Sequence, residues 1–92
     1  MIVRIATEGQ YRLPEDDAEA LSGLDNDAVS AVEAGDEDRF HEIFEQMLDL
    51  VRRAGDPLDE DELAESEVIL PPPDTSFVEA AAEFTGEGLI PD

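Results

Sequence analysis

Between Asp36 and Gly55 the chain sets Phe40, Ile43, Phe44, Met47, Leu48 and Val51 alternately three and one positions apart. That spacing repeats with the turn of an α-helix and puts all six side chains on one stripe. No other segment of the 92 residues offers as much contiguous apolar surface. Whatever the chain folds into must cover this stripe. The helix has clear ends: Asp36 is placed as its N-cap, with Glu37 and Asp38 in the first turn. Arg52 and Arg53 lie in the last turn and Gly55 follows as the stop. Charge at both ends thus complements the macrodipole.

A covering helix precedes it. Leu21, Leu24, Ala28 and Val32 recur at three and four positions, Pro14 suits a first turn, and Glu15, Asp16 and Asp17 sit near the positive end. Gly35 supplies a left-handed cap. Gly23 and the Asp25-Asn26 pair weaken the middle, which predicts a kink there or a fresh start capped by Asp25. The tight Gly35-Asp36 joint makes the two helices an αα-hairpin. A DNA-reading helix-turn-helix is excluded, because the second helix would offer Glu37, Asp38, Glu42, Glu45 and Asp49 to phosphates.

The flanks are shorter. Val3 and Ile5 alternate with Ile2, Arg4 and Ala6, and after Thr7-Glu8-Gly9-Gln10 a second run places Tyr11 and Leu13 on one side. This is the period of a β-hairpin, with Gly9 available for a positive φ. Residues 56–67, DPLDEDELAESE, form an acidic connector with one helical turn near Asp59 to Leu63. Val68-Ile69-Leu70 is extended and runs into Pro71-Pro72-Pro73. Each proline holds its predecessor in β or polyproline geometry, so the triplet is a strut; Glu67 and Asp74 on its flanks argue against a polyproline ligand. Ser76 and Glu79 have capping-box spacing before Phe77, Val78, Ala81 and Phe84, a short helix that should stop near Gly86 or Gly88. The fold class is therefore α+β in a single domain, 1–92. A β-hairpin (1–13) packs on a helical hairpin (14–55), followed by an acidic and Pro-rich connector (56–73), then a short helix and C-terminal segment (74–92).

Charge narrows the function. Twenty-six acidic residues face five basic ones, all arginine, for a net charge of −21. Such a field repels nucleic-acid phosphates and anionic lipid, so direct binding to either is not expected. Ordered apolar periodicity alongside this acidity describes a protein folded for concentrated salt, where the Debye length falls to about 3 Å at 1 M. The N-terminal MIVRIATEGQ lacks the basic-then-apolar order of a secretory signal, and no window approaches the roughly 20 apolar residues of a bilayer span. A cytoplasmic protein is expected.

No catalytic constellation emerges. With no cysteine, thiolate chemistry and zinc-thiolate sites are excluded. His41, the single histidine, lies one turn from both Glu37 and Glu45 and reads as a surface residue paired with acids. The Asp59-Glu60-Asp61-Glu62 cluster lacks the alternating ligands and central glycine of an EF-hand loop and reads as a counter-ion cloud. No serine or threonine has a nucleophile-elbow context, and the glycines are too scattered to cradle a phosphate. Neither an enzyme, a cofactor nor a metal site is expected. The closing EGLIPD should fold back on the helices. If exposed, Leu89 and Ile90 would be conspicuous on so charged a surface.

Taken together, MIVRIATEGQYRL, AVEAGD, DPLDEDELAESEVILPPPDTS and EGLIPD resemble the PspA-associated proteins, the PspAA family, across almost the whole chain. The resemblance implies a non-enzymatic accessory of a PspA-like coiled coil, a membrane-remodelling component of the phage-shock response, typically encoded beside it. The lack of lysine is similar to proteins of salt-loving archaea. On this reading the chain binds a PspA-like coiled-coil protein and not lipid. The candidate contacts are apolar features bordered by charge: Tyr11 with Arg12, where the arginine can pair with an acidic residue of the partner, and the terminal Leu89-Ile90 pair. A different class is a stand-alone acidic protein, such as a nucleic-acid mimic that blocks a DNA- or RNA-binding protein.

Overall fold

The dense apolar stripe does become a helix, and the chain is organised around it. A computed structural model describes residues 1–59, 65–84 and 88–89. In chain order the elements are β1 (Ile2–Ile5), β2 (Gly9–Arg12), α1 (Glu15–Ala34), α2 (Glu37–Ala54), β3 (Asp56–Pro57), β4 (Val68–Leu70) and α3 (Phe77–Ala81). Phe40, Ile43, Phe44, Met47, Leu48 and Val51 are all buried, joined by Leu50. Asp36 caps α2 by accepting the Arg39 N–H at 3.2 Å. Gly35 closes α1 in the left-handed region, at φ 70°, so the two helices fold back on each other as an αα-hairpin.

α1 corrects one expectation. It runs as one continuous helix from Glu15 to Ala34, with no fresh start capped by Asp25. Asp25 is instead buried in mid-helix, on a face shared with Leu21, Ala28, Val29 and Ala31. Leu24 and Val32 are half-buried and pack at the rim of the core. A carboxylate in such a place needs hydrogen-bond partners, and Asp25 accepts the backbone N–H of Leu89 at 3.0 Å.

The hairpin of β1 and β2 has the expected alternation, and its turn uses positive φ at Thr7 (74°) as well as Gly9 (121°). It is half of a larger sheet. The order is β3-β2-β1-β4, with β4 parallel to β1 and β3 antiparallel to β2, so both ends of the acidic connector become edge strands. Pairing is in register: Val3 lies opposite Tyr11 and beside Val68, and Arg4 lies opposite Gln10 and beside Ile69. Because side chains alternate across a sheet, Val3, Ile5, Val68 and Leu70 all point into the core against the helices, and each is essentially inaccessible.

Beyond β4, Pro71 is buried and a turn brings the Thr75 N–H to the Pro72 carbonyl at 3.0 Å, so the proline run spans from strand to helix. α3 is shorter than expected, ending at Ala81 rather than near Gly86 or Gly88. Its capping box is half-formed. Ser76 accepts the Glu79 N–H at 3.3 Å, while the Glu79 carboxylate takes the Thr75 hydroxyl at 3.5 Å. What holds α3 in place is aromatic: Phe40 meets Phe77 and Phe84 edge-on, with ring centres 5.6 and 5.2 Å away, and stacks on Phe44 at 5.8 Å. All four phenylalanines of the chain gather there, an arrangement worth about 0.5–1.5 kcal/mol per pair beyond burial.

Candidate interaction surface

The four candidate contact residues stand on two supports. Tyr11, in β2, faces the core side of the sheet opposite Val3 and beside Pro57, half-buried against the apolar cluster. It crosses the end of α2 so closely that a Cβ on Gly55 would lie 2.9 Å from the Tyr11 Cβ and 2.5 Å from the Val51 carbonyl oxygen. Close approach, rather than a left-handed backbone, is thus why glycine stands there, since Gly55 has φ −82°. Arg12, next in β2, is exposed on the opposite face between Ile2 and Asp56 in the register. Leu89 is half-buried against the core and tied through its backbone to Asp25 of α1. Gly88, at φ 82°, makes that approach possible, because a Cβ there would come within 2.6 Å of the Asp25 carboxylate. Ile90 lies outside the described residues.

Arg12 belongs to a larger outer face. The same alternation that buries Val3 and Ile5 turns Arg4 outward. Parallel pairing sets Ile69 beside it, 55% exposed. Arg4 and Arg12 are diagonal neighbours on adjacent strands, a relationship that spans roughly 7–8 Å. Ile2 is half-exposed between them. The Gln10 side chain donates to the Ser66 hydroxyl at 2.8 Å, linking β2 to the segment that enters β4. Arg4 and Ile69 were not singled out as contacts by sequence reasoning, although the period-two pattern already put Arg4 opposite in sense to Val3 and Ile5. What could not be read was that residue 69 would come to lie beside residue 4.

Electrostatically the molecule has two unlike sides. α1 and α2 expose Glu19, Asp27, Glu33, Glu42, Glu45 and Asp49, among others, whereas the outer face of the sheet carries two of the five arginines. A third, Arg52, clamps the hairpin turn: its Nε donates to Glu8 at 2.9 Å and its Nη2 makes the second contact with the same carboxylate. This two-point hydrogen bond, with the arginine's charge, holds the Glu8 carboxyl below its ordinary pKa and raises that of Arg52. His41 has Glu37 3.8 Å from its Nε2 and its ring edge-on to Phe40 at 5.5 Å. A groove of about 590 Å³ runs between Met1, the first turns of α1 and Glu67, bordered by Glu15, Asp16 and Glu19. Val78, on α3, is 80% exposed.

Among the described residues no group of three or more His, Asp or Glu side chains is placed to hold a metal ion. Of the Asp59–Glu62 cluster, residues 60–62 lie outside the described part. No helix among the described residues is long and apolar enough to cross a membrane. Arg4 and Arg12 thus stand on the outer face of the sheet with Ile2 and Ile69 as aliphatic neighbours. The sequence matches the family model for PspA-associated proteins over residues 1–92. No curated protein and no solved structure matches the chain.

Proposed function

We propose that this chain, which belongs to the PspA-associated protein family, is a non-enzymatic accessory that binds a PspA-like coiled-coil protein. The observation that carries this reading is the family match, which spans every residue from 1 to 92 and therefore covers the sheet, the helices and the C-terminal segment alike. The net charge of −21 supports the further statement that the chain acts through a protein and not on anionic lipid itself, and the cytoplasm is proposed as the place where it does so. Its contacts are proposed at the Tyr11-Arg12 segment and at Leu89-Ile90, each an apolar group next to charge or to a polar anchor.

The test is capture of partners by the tagged chain from native cells in native salt, alongside flotation of the chain alone with anionic liposomes. Recovery of a PspA-like coiled coil without flotation is the expected result. Flotation of the isolated chain, or no coiled coil recovered at any salt, would defeat the reading. The acidic helix faces and the groove lined by Glu15, Asp16, Glu19 and Glu67 favour one alternative, a nucleic-acid mimic. Recovery of a basic nucleic-acid-binding protein in place of the coiled coil would establish that alternative.

A further inference from the structure

We infer that the free edge of β4 is an interface between two copies of this chain: Val68–Leu70 pairs antiparallel with the same strand of a second copy about a two-fold axis at Ile69, joining two four-stranded sheets into one. The inference goes beyond the accessory reading above and does not depend on it, because the isolated chain is enough to test it.

Three observations converge on this edge. First, β4 is the last strand in the order β3-β2-β1-β4, with no strand beyond it among the described residues. The Leu70 carbonyl accepts the Ala6 N–H at 3.0 Å, which turns the peptide groups of Leu70 toward β1. Successive residues of a strand direct these groups to opposite sides, so Ile69 directs its N–H and C=O away from β1, to the edge. Second, the Ile69 side chain is 55% exposed, while Val68 and Leu70 on either side of it are buried. An uncharged, apolar edge of this kind is what proteins ordinarily blunt. Third, the opposite margin of the sheet is blunted. β3 consists of Asp56 and Pro57, a charge and a residue with no N–H to donate. Of the two margins, β4 is the one able to accept another strand.

The sequence around Ile69 selects a second copy as the occupant. A two-fold axis makes the contact isologous, and antiparallel pairing centred on Ile69 sets Val68 opposite Leu70 of the second copy and Glu67 opposite its Pro71. Ile69 then meets itself. The two residues exchange both N–H···O bonds, and their side chains cover each other with Cβ atoms about 4.5–5.5 Å apart. Glu67 faces a proline and not its own counterpart, so the pairing opposes no like charges. Its carboxylate is also drawn back to its own chain, where it accepts the Ile2 N–H at 3.4 Å. Each copy carries a net charge of −21, which keeps copies apart in dilute buffer. At 1 M salt a Debye length of about 3 Å confines that repulsion to direct contacts. Three paired residues make a small contact, at the transient end of interface sizes. The dimer is therefore weak and strengthens with salt.

Sedimentation equilibrium of the full chain, from micromolar to millimolar protein in dilute and in molar salt, measures the monomer–dimer Kd. A dimer that tightens as salt rises is expected. Ile69→Lys places a charge on the edge, and Ile69→Pro removes the outward N–H without touching a bond inside the chain. Each should raise Kd about tenfold. Val78→Lys makes the same change at the other exposed apolar side chain, on α3, and should leave Kd unaltered. Helical circular dichroism and the melting temperature report folding, and those of Ile69→Lys should match the wild type because the side chain is exposed. The chain has no cysteine, so Ile69→Cys introduces a single thiol. A short bis-maleimide should join two such chains across the axis in molar salt, whereas Val78→Cys should stay monomeric. A monomer at every concentration and salt overturns the inference, and protection of the Ile69 N–H from exchange only when the purified PspA-like coiled coil is added gives the edge to that partner instead. A dimer retained in both Ile69→Lys and Ile69→Pro, or cross-linked equally through Val78→Cys, overturns it by placing the contact elsewhere. A dimer that dissociates as salt rises overturns it in favour of an ionic contact.

Discussion

The backbone N–H of Leu89 donates to Oδ1 of Asp25 at 3.0 Å, joining the C-terminal segment to the middle of α1. Gly88 allows this. Its left-handed backbone turns the chain inward, and its missing side chain leaves room for the carboxylate.

Gly88→Ala should therefore meet two penalties where Gly35→Ala meets one. Both residues are left-handed, at a cost of about 1–2 kcal/mol for alanine, but only at Gly88 does a Cβ run into Asp25, while at Gly35 it meets open space. Urea denaturation should show the greater loss for Gly88→Ala. In an Asp25→Ala background the effect of Gly88→Ala should shrink toward that of Gly35→Ala, a non-additivity that a double-mutant cycle reads directly.

Phe40 is fully buried and touches the other three phenylalanines through rings on α2, in α3 and after it. Phe40→Ala should cost about 3–5 kcal/mol and release α3 as well as loosen α2. Leu48→Ala, on the same stripe, should cost about 2–5 kcal/mol. Chemical denaturation checks both, and a loss well under 1 kcal/mol at either position contradicts the burial described.

The clamp of Arg52 on Glu8 predicts a pH dependence with a definite sign. Its carboxyl is held below the ordinary pKa, chiefly by the hydrogen bond from Arg52. The stabilisation is thus fully present above the unfolded value of about 4.3 and is lost as pH falls through the lowered folded value. Both side chains are partly exposed, so the contribution is no more than about 1 kcal/mol. By NMR titration the Glu8 midpoint should lie below the ordinary range in the wild type and return to it in Arg52→Gln.

Salt should stabilise the fold. Carboxylates crowd α1 and α2 with few cations among them, and screening relieves that repulsion. The melting temperature should rise steadily from dilute buffer to molar salt; a flat profile would count against a chain adapted to concentrated salt.

What could be read from the chain was whatever depends on near neighbours. The α2 stripe, the Asp36 cap, the Gly35 turn and the β1-β2 alternation all follow from contacts within a few positions, and each stands as the spacing places it. The face of α1 was less legible. Of the expected Leu21, Leu24, Ala28 and Val32, the first and third are buried as the period places them, whereas Leu24 and Val32 are half-buried and Val29 and Ala31 are buried in addition. Asp25 looked like a break because its partner lies 64 positions away. The same is true of the outer face of the sheet: Arg12 could be singled out for its scarcity, but Ile69 joined Arg4 only through a parallel pairing that no local pattern announces.

That parallel pairing also orders events in time. The helical hairpin and the β1-β2 hairpin each close over short spans, whereas β4 must return from residue 68 to residue 3, and closing a longer loop carries a larger entropic cost. On a chain still leaving the ribosome, residues 1–54 emerge well before the strand that completes the sheet. Until β4 arrives, β1 presents a bare strand edge next to its own hairpin, open to any extended segment that comes by. The arginine that projects from the middle of that edge, Arg4, is then the only charge along Ile2–Ile5 that discourages a wrong pairing.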